Sequence, residues 1–203
     1  MFDTVTKAHY RGFLTGMAAG FKIVPAIFIV FMLVNRRWGD FGRALLGFLT
    51  TLAIGSFFGI GQVWQFFSVE LWDTTRVGAA DRLSNVSMYG ALTRWIPGSD
   101  PVVLWAVLAA TVAAAGLAIA GFWWNHSRLV AAVVVGITGL LVSPVSWVHH
   151  WVWFIPAACA AIALAIRAFR SSDRLVGVCL SIAAAAMVLP ELGELRYAGG
   201  RLA

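Results

Sequence analysis

A lysine inside an apolar run, two adjacent histidines and a few small polar residues are the side chains here that could do chemistry. Lys22 stands in Gly20-Phe21-Lys22-Ile23-Val24-Pro25 and is the only basic residue deep within an apolar segment. A buried ammonium needs an anion or carbonyl beside it, and Pro25 should release backbone carbonyls one turn upstream, near Phe21. Lys22 can thus snorkel, pair internally, or face a lipid phosphate or an acidic catalytic group. His149 and His150 lie in Ser143-Pro144-Val145-Ser146-Trp147-Val148-His149-His150-Trp151-Val152-Trp153. Adjacent side chains diverge by about 100° on a helix and point to opposite faces on a strand, so the pair is a poor chelate. No metal or other cofactor is expected. As imidazoles, either can exchange hydrogen bonds with a hydroxyl or phosphate oxygen, or simply satisfy buried backbone.

A second polar stretch holds Asp73-Thr74-Thr75-Arg76-Val77-Gly78, then Arg82-Leu83-Ser84-Asn85-Val86-Ser87-Met88-Tyr89-Gly90, then Arg94. Small polar residues beside glycine suit a polyhydroxyl ligand, and arginine suits a phosphate; an ordinary solvated loop has the same composition. Asn85-Val86-Ser87 also fits a glycosylation acceptor, a match too short to use. Trp147, Trp151 and Trp153, with Trp64, Trp72 and Trp95, suit an interfacial aromatic belt. Some of them could equally stack on sugar rings or hug a prenyl chain.

These residues need elements to position them. The apolar runs 129–142 and 152–166, flanking the histidine stretch, have 14 and 15 residues, or roughly 21 to 23 Å as helices. A bilayer core needs about 30 Å. Part of the polar stretch must lie at membrane depth, where irregular backbone survives only if buried in protein or lining a wet cavity.

Composition agrees. With 61% hydrophobic residues, 12% charged and a mean hydropathy of +0.84, the charged fraction is half the usual roughly 25%. The expected class is all-α: a polytopic integral membrane helical bundle, one domain over 1–203, with apolar segments at about 12–34, 44–61, 102–124, 129–148, 152–166 and 175–190. The net charge of +6 does not signal nucleic acid, because the cations sit singly or in pairs at segment ends, as membrane topology requires. Arg36, Arg37 and Arg43, then Arg128, then Arg167, Arg170 and Arg174 mark three cytoplasmic loops. Residues 62–101 and 143–153 then share the outer face.

The N-terminus does not fit a single crossing of 12–34, which would put Lys7 and Arg11 outside. Either a pair of half-helices broken near Lys22 and Pro25 keeps both ends on one side, or a segment precedes it. No cleavable signal peptide is visible. Cys159 and Cys179 read as small packing residues, and the Gly12, Gly16, Gly20 spacing as close helix packing.

The Gly16 to Trp38 region, with lysine-x-x-proline at Lys22 to Pro25 and Arg-Arg-Trp at its end, resembles a segment of the actinobacterial polyprenol-phosphate-mannose-dependent mannosyltransferases, glycosyltransferase family 87. The 143–153 stretch resembles that family's serine-proline-x-serine-tryptophan-x-histidine-histidine signature. Asn85, Ser87 and Arg94 resemble its asparagine-glutamine-serine loop, with Val86 in place of glutamine. The resemblance implies a C-type glycosyltransferase in the cell membrane. Such an enzyme moves a hexose, mannose in the family, from a polyprenyl-phosphate donor to a glycolipid or lipoglycan acceptor on the extracytoplasmic face, by inverting displacement. It implies substrate-binding roles for Lys22, Asn85, Ser87, Arg94, Ser146, Trp147, His149 and His150. The family's general-base aspartate lies in a loop upstream of the part matched here, and Asp73 and Asp81 do not match it. The chain is thus expected to be the C-terminal portion of a longer enzyme. An active enzyme, an inactive remnant, and a non-enzymatic lipid-binding or transport component all stay open.

Overall fold

The computed structural model describes residues 10–71, 73, 76 and 78–199. Lys7, Trp72, Thr74, Thr75 and Val77 lie outside the described residues. The described residues are mainly helical: α1 (Phe13–Phe21), α2 (Ala26–Val34), α3 (Trp38–Gln65), α4 (Met88–Trp95), α5 (Val102–Trp124), α6 (Arg128–Val142), α7 (Phe154–Arg170) and α8 (Arg174–Gly199). Stretches long and apolar enough to cross a membrane are Trp38–Glu70, Val102–Trp124 and Val148–Arg170. It is an all-α membrane protein. Contacts group it into two compact units, Met1–Trp151 and Val152–Ala203, where the sequence reading had one domain.

In the first unit, the run 12–34 is two nine-residue helices. The chain is extended at Lys22, with φ −149° and ψ 123°, and Pro25 heads α2. Proline therefore does not kink a continuous helix as its position suggested; it starts the second one, where its missing N–H costs nothing. Gly12 lies against Asp40, Gly16 against Ala44, and Gly20 against Thr51. Residue numbers rise together along both helices, so α1 runs parallel to α3, and α2 must return between them. The pair is a hairpin with both ends at one end of α3 and its tip at Lys22 to Pro25. Arg43 Nε donates to the Arg11 carbonyl at 2.8 Å, which puts Arg11 beside the arginines of the next turn. Small residues make this closeness possible, since Gly16 and Gly47 meet partner backbone directly.

α3 starts at Trp38, six residues before the apolar segment expected from sequence. Asp40 is buried between Arg37 and Arg43, two of the arginines that suggested a loop, and ion-pairs with both. Neutralising the carboxylate lets the helix begin there. Arg37 and Arg128 lie over Trp124, 3.9 and 5.5 Å from its ring centroid, so Arg11, Arg37, Arg43 and Arg128 share one end of the unit.

α5 and α6 form an antiparallel pair, with Gly116 under Thr138. α2 packs on them through Phe31, which clusters with Leu117, Ala120, Ala131 and Val135. α6 begins at Ser127, whose hydroxyl accepts from Val130 N, a standard N-cap. It ends at Val142 because Ser143 precedes proline and is extended, with φ −62° and ψ 138°. Its 15 residues span about 22 Å, while α5's 23 span about 34 Å. α6 therefore stops short, and Ser143 and Pro144 line a cleft together with Ala113 and Leu117 of α5.

In the second unit α7 and α8 pair through Ala158, Ala161, Ala184 and Met187. Cys159 and Cys179 are free and exposed, facing away from that packing rather than filling it.

Candidate functional site

The hairpin tip and the broken end of α6 meet. Lys22 Nζ lies 2.8 Å from His150 Nε2. Gly20 sits against Thr51, thirteen residues into α3, so the lysine stands about 20 Å above that helix's start. His150 comes from the 3-10 helix Val148–Trp153. Its Nδ1 accepts the Trp147 backbone N–H at 3.3 Å, and its own N–H donates to the Trp147 carbonyl at 2.8 Å. The lysine ammonium can only donate, so at this distance Nε2 accepts from it. The remaining ammonium hydrogens are left for an oxyanion beside the pair.

Asn85, Ser87 and Ser146 are placed differently. They are 0%, 1% and 0% exposed, with their polar atoms turned on the protein itself. Asn85 Nδ2 donates to the carbonyls of Ala80 at 2.9 Å and Pro144 at 3.3 Å. Its Oδ1 accepts from Ser146 N at 2.9 Å and Ser87 N at 3.3 Å. Ser87 Oγ donates to the Pro144 carbonyl at 2.9 Å and caps α4 by accepting from Gly90 N at 3.0 Å. Ser146 Oγ donates to Leu140 O at 2.8 Å, tying the stretch to the end of α6. Arg94 donates to the carbonyls of Arg82 and Asn85, both at 3.0 Å. An antiparallel bridge pairs Asn85 with Trp147, through Val86 N to Ser146 O at 2.9 Å and Val148 N to Ser84 O at 3.0 Å. The two polar stretches therefore form one clamp. Of the eight side chains singled out from sequence, Lys22 and His150 touch, and Asn85, Ser87, Ser146 and Arg94 build the frame behind them.

Trp147 and His149 flank the pair. The Trp147 ring lies under Gly78, where an added Cβ would be 3.3 Å from Cη2 at φ +116°, a backbone shape that favours glycine. His149 is exposed and meets the His150 ring edge-on at 4.4 Å between centroids. Among the described residues no group of three metal-ligating side chains converges. Trp64 and Trp95 are exposed, as an aromatic belt requires.

Sequence reasoning missed an apolar cleft of about 340 Å³. Ile23, Val24 and Ile27 line it from the hairpin, Leu117 from α5, and Val142 and Pro144 from the end of α6. Ile23 and Val24, which line it, directly follow Lys22 in the chain. The adjacency of Ile23-Val24 to Lys22 was its only signal. Also unforeseen was α4, where the Tyr89 hydroxyl donates to Asp100 at 3.0 Å. Burial, and then the hydrogen bond and charge of Asp100, push the Tyr89 ionisation above its ordinary value.

Comparison with known proteins supplies the class. Residues 1–144 match the profile of glycosyltransferase family 87, and the chain belongs to that family. The profile match ends at Pro144, before the histidines. A polyprenol-phosphate-mannose-dependent alpha-(1-2)-phosphatidylinositol mannoside mannosyltransferase of Mycolicibacterium smegmatis is 35% identical over 201 residues, covering 91% of this chain and 44% of the relative. The protein of that name in Mycobacterium tuberculosis is 34% identical over 159 residues, covering 72% and 35%. A polyprenol-phosphate-mannose-dependent alpha-(1-2)-phosphatidylinositol pentamannoside mannosyltransferase of M. smegmatis is 33% identical over 156 residues, covering 75% and 38%. The chain thus spans less than half the length of these curated relatives. No solved structure matches it.

Proposed function

We propose that this chain forms the donor-binding part of a multi-pass glycosyltransferase of the cell membrane, which moves mannose from a polyprenyl-phosphate carrier to a glycolipid acceptor on the extracytoplasmic face. The observation that carries the reading is the Lys22–His150 pair, 2.8 Å apart, an oriented cation next in sequence to the Ile23 and Val24 that line an apolar cleft. A phosphate oxygen beside the pair would be held by the ammonium that His150 orients, while the first isoprene units enter the cleft. As the sugar–phosphate bond breaks, negative charge grows on the departing phosphate, and a preorganised cation stabilises that charge more than the bound ester. His149 and Trp147 would border the sugar. The relatives' names support a mannosyl donor and a phosphatidylinositol mannoside acceptor. The chain's Asp73 and Asp81 are not assigned the general-base role, which the family places in a loop outside the region matched here.

Binding of farnesyl phosphate, with farnesol as the uncharged control, tests the reading on the chain in lipid nanodiscs. Lys22→Ala and His150→Ala should each weaken farnesyl phosphate at least tenfold and leave farnesol unchanged, as expected for loss of a charge-assisted hydrogen bond worth about 1.5–3 kcal/mol. Equal affinity for phosphate and alcohol would overturn it. Membranes expressing the gene from its own locus, supplied with labelled polyprenyl-phosphate mannose, then separate an enzyme from a lipid-binding component: the latter binds and does not transfer.

A further inference from the structure

Resting on that donor reading, we propose that Asn85 is a positioning residue. Its buried carboxamide fixes the register between the 78–90 loop and the 143–150 stretch, and so sets His150 against Lys22. The amide has two donor hydrogens and two acceptor lone pairs. All four are used: Ala80 O and Pro144 O on one side, Ser87 N and Ser146 N on the other. Nothing is left for a ligand, and the side chain is 0% exposed, so a direct substrate contact is excluded in this arrangement.

The path from Asn85 to the site is short and continuous. Asn85 holds Ser146 N, Ser146 is tied to α6 through Leu140 O, and the next residue, Trp147, gives its N–H to His150 Nδ1. That last contact helps to hold the ring. Displacing the stretch would thus change the position of Nε2 and its approach to Lys22. No common substitute reproduces the arrangement. Aspartate puts carboxylate oxygens against the carbonyls of Ala80 and Pro144. Glutamine is longer in a space where the Cβ site of Gly90 is already 2.7 Å from Nδ2.

A covalent substitute for the clamp distinguishes positioning from contact. Ser84 and Val148 face each other beside the Asn85–Trp147 bridge, Val148 N donating to Ser84 O; antiparallel neighbours of this kind are about 4.5–5.5 Å apart at Cα, within disulfide range. With Cys159 and Cys179 replaced by alanine, the chain in nanodiscs is compared as unaltered clamp, Asn85→Asp, Asn85→Ala, and Asn85→Ala with Ser84→Cys and Val148→Cys. The measurements are farnesyl phosphate affinity and the ¹⁵N resonances of His150.

Asn85→Asp and Asn85→Ala should weaken farnesyl phosphate tenfold or more and shift the His150 ring resonances. Oxidising the cysteine pair should restore both to within about threefold of the unaltered clamp, and reduction should abolish the recovery. A cross-linked Asn85→Ala chain that folds but still binds tenfold more weakly would mean that Asn85 touches the ligand. One that fails to fold would mean a general structural role. Either overturns the proposal, as would unchanged affinity in Asn85→Asp. If the unaltered clamp ignores farnesyl phosphate, the donor reading itself fails, and this role with it.

Discussion

Lys22 and His150 are 128 positions apart in the chain and 2.8 Å apart at the ends of their side chains. If His150 orients the ammonium that holds the oxyanion, their contributions to farnesyl phosphate binding are coupled. The double variant Lys22→Ala, His150→Ala should then lose less than the sum of the two single losses, by about 1 kcal/mol or more, as for other residues acting on a common partner. Strictly additive losses in a binding cycle would mean two separate ligands or none.

The hairpin makes a sidedness prediction. Tyr10 precedes α1 at the arginine end, Asn125 follows α5 at that same end, and Ser99 precedes α5 at the other. Single cysteines at Tyr10 and Asn125 should react with an impermeant reagent from one side of the membrane, and a cysteine at Ser99 from the other. Tyr10 labelling together with Ser99 would mean that 12–34 crosses.

Helix contact in the first unit depends on missing side chains. Gly16→Val would drive a branched side chain into Ala44 backbone, whereas Gly42 has nothing within 4 Å of its Cβ position. Gly16→Val should destabilise by about 1–3 kcal/mol or more, the usual range for overpacking, and Gly42→Val by much less. Thermal melts of the two variants in nanodiscs check this.

The raised ionisation of Tyr89 gives a pH prediction. Because the folded state favours the protonated phenol, its contribution to stability is complete below the ordinary tyrosine value of 10.0 and is lost as pH rises through the higher folded value. Ultraviolet titration of the tyrosines should show a late-titrating component. Burial is the largest cause, so Asp100→Asn should shorten the delay without removing it. Disappearance of the delay in that variant would make Asp100 the main cause instead.

How far the sequence could be read varies with the range of the interaction. α5 was legible residue for residue, because its 23 positions are uncharged and unbroken. The interruptions at Lys22 to Pro25 and Ser143-Pro144 were legible because lysine and proline each disfavour a continuous apolar helix. The start of α3 was not: Arg37 and Arg43 look like loop residues until Asp40 is seen between them. The clamp was hidden for a similar reason. A polar residue in an outer loop reads as ligand-facing, and only the partners 59 and 61 positions away, Pro144 and Ser146, show that Asn85 faces inward.

The hairpin also constrains biogenesis. The imidazole that meets Lys22 is added 128 residues after it, a delay of roughly 6 to 25 s at ordinary elongation rates. Each nine-residue helix is too short to traverse a bilayer, and during that interval the tip lacks its partner. Its seat in this unit is complete only when α3, α5 and α6 have arrived. Synthesis that stalls before Trp147 would leave a charged tip with no place at depth, a natural substrate for membrane quality-control proteolysis.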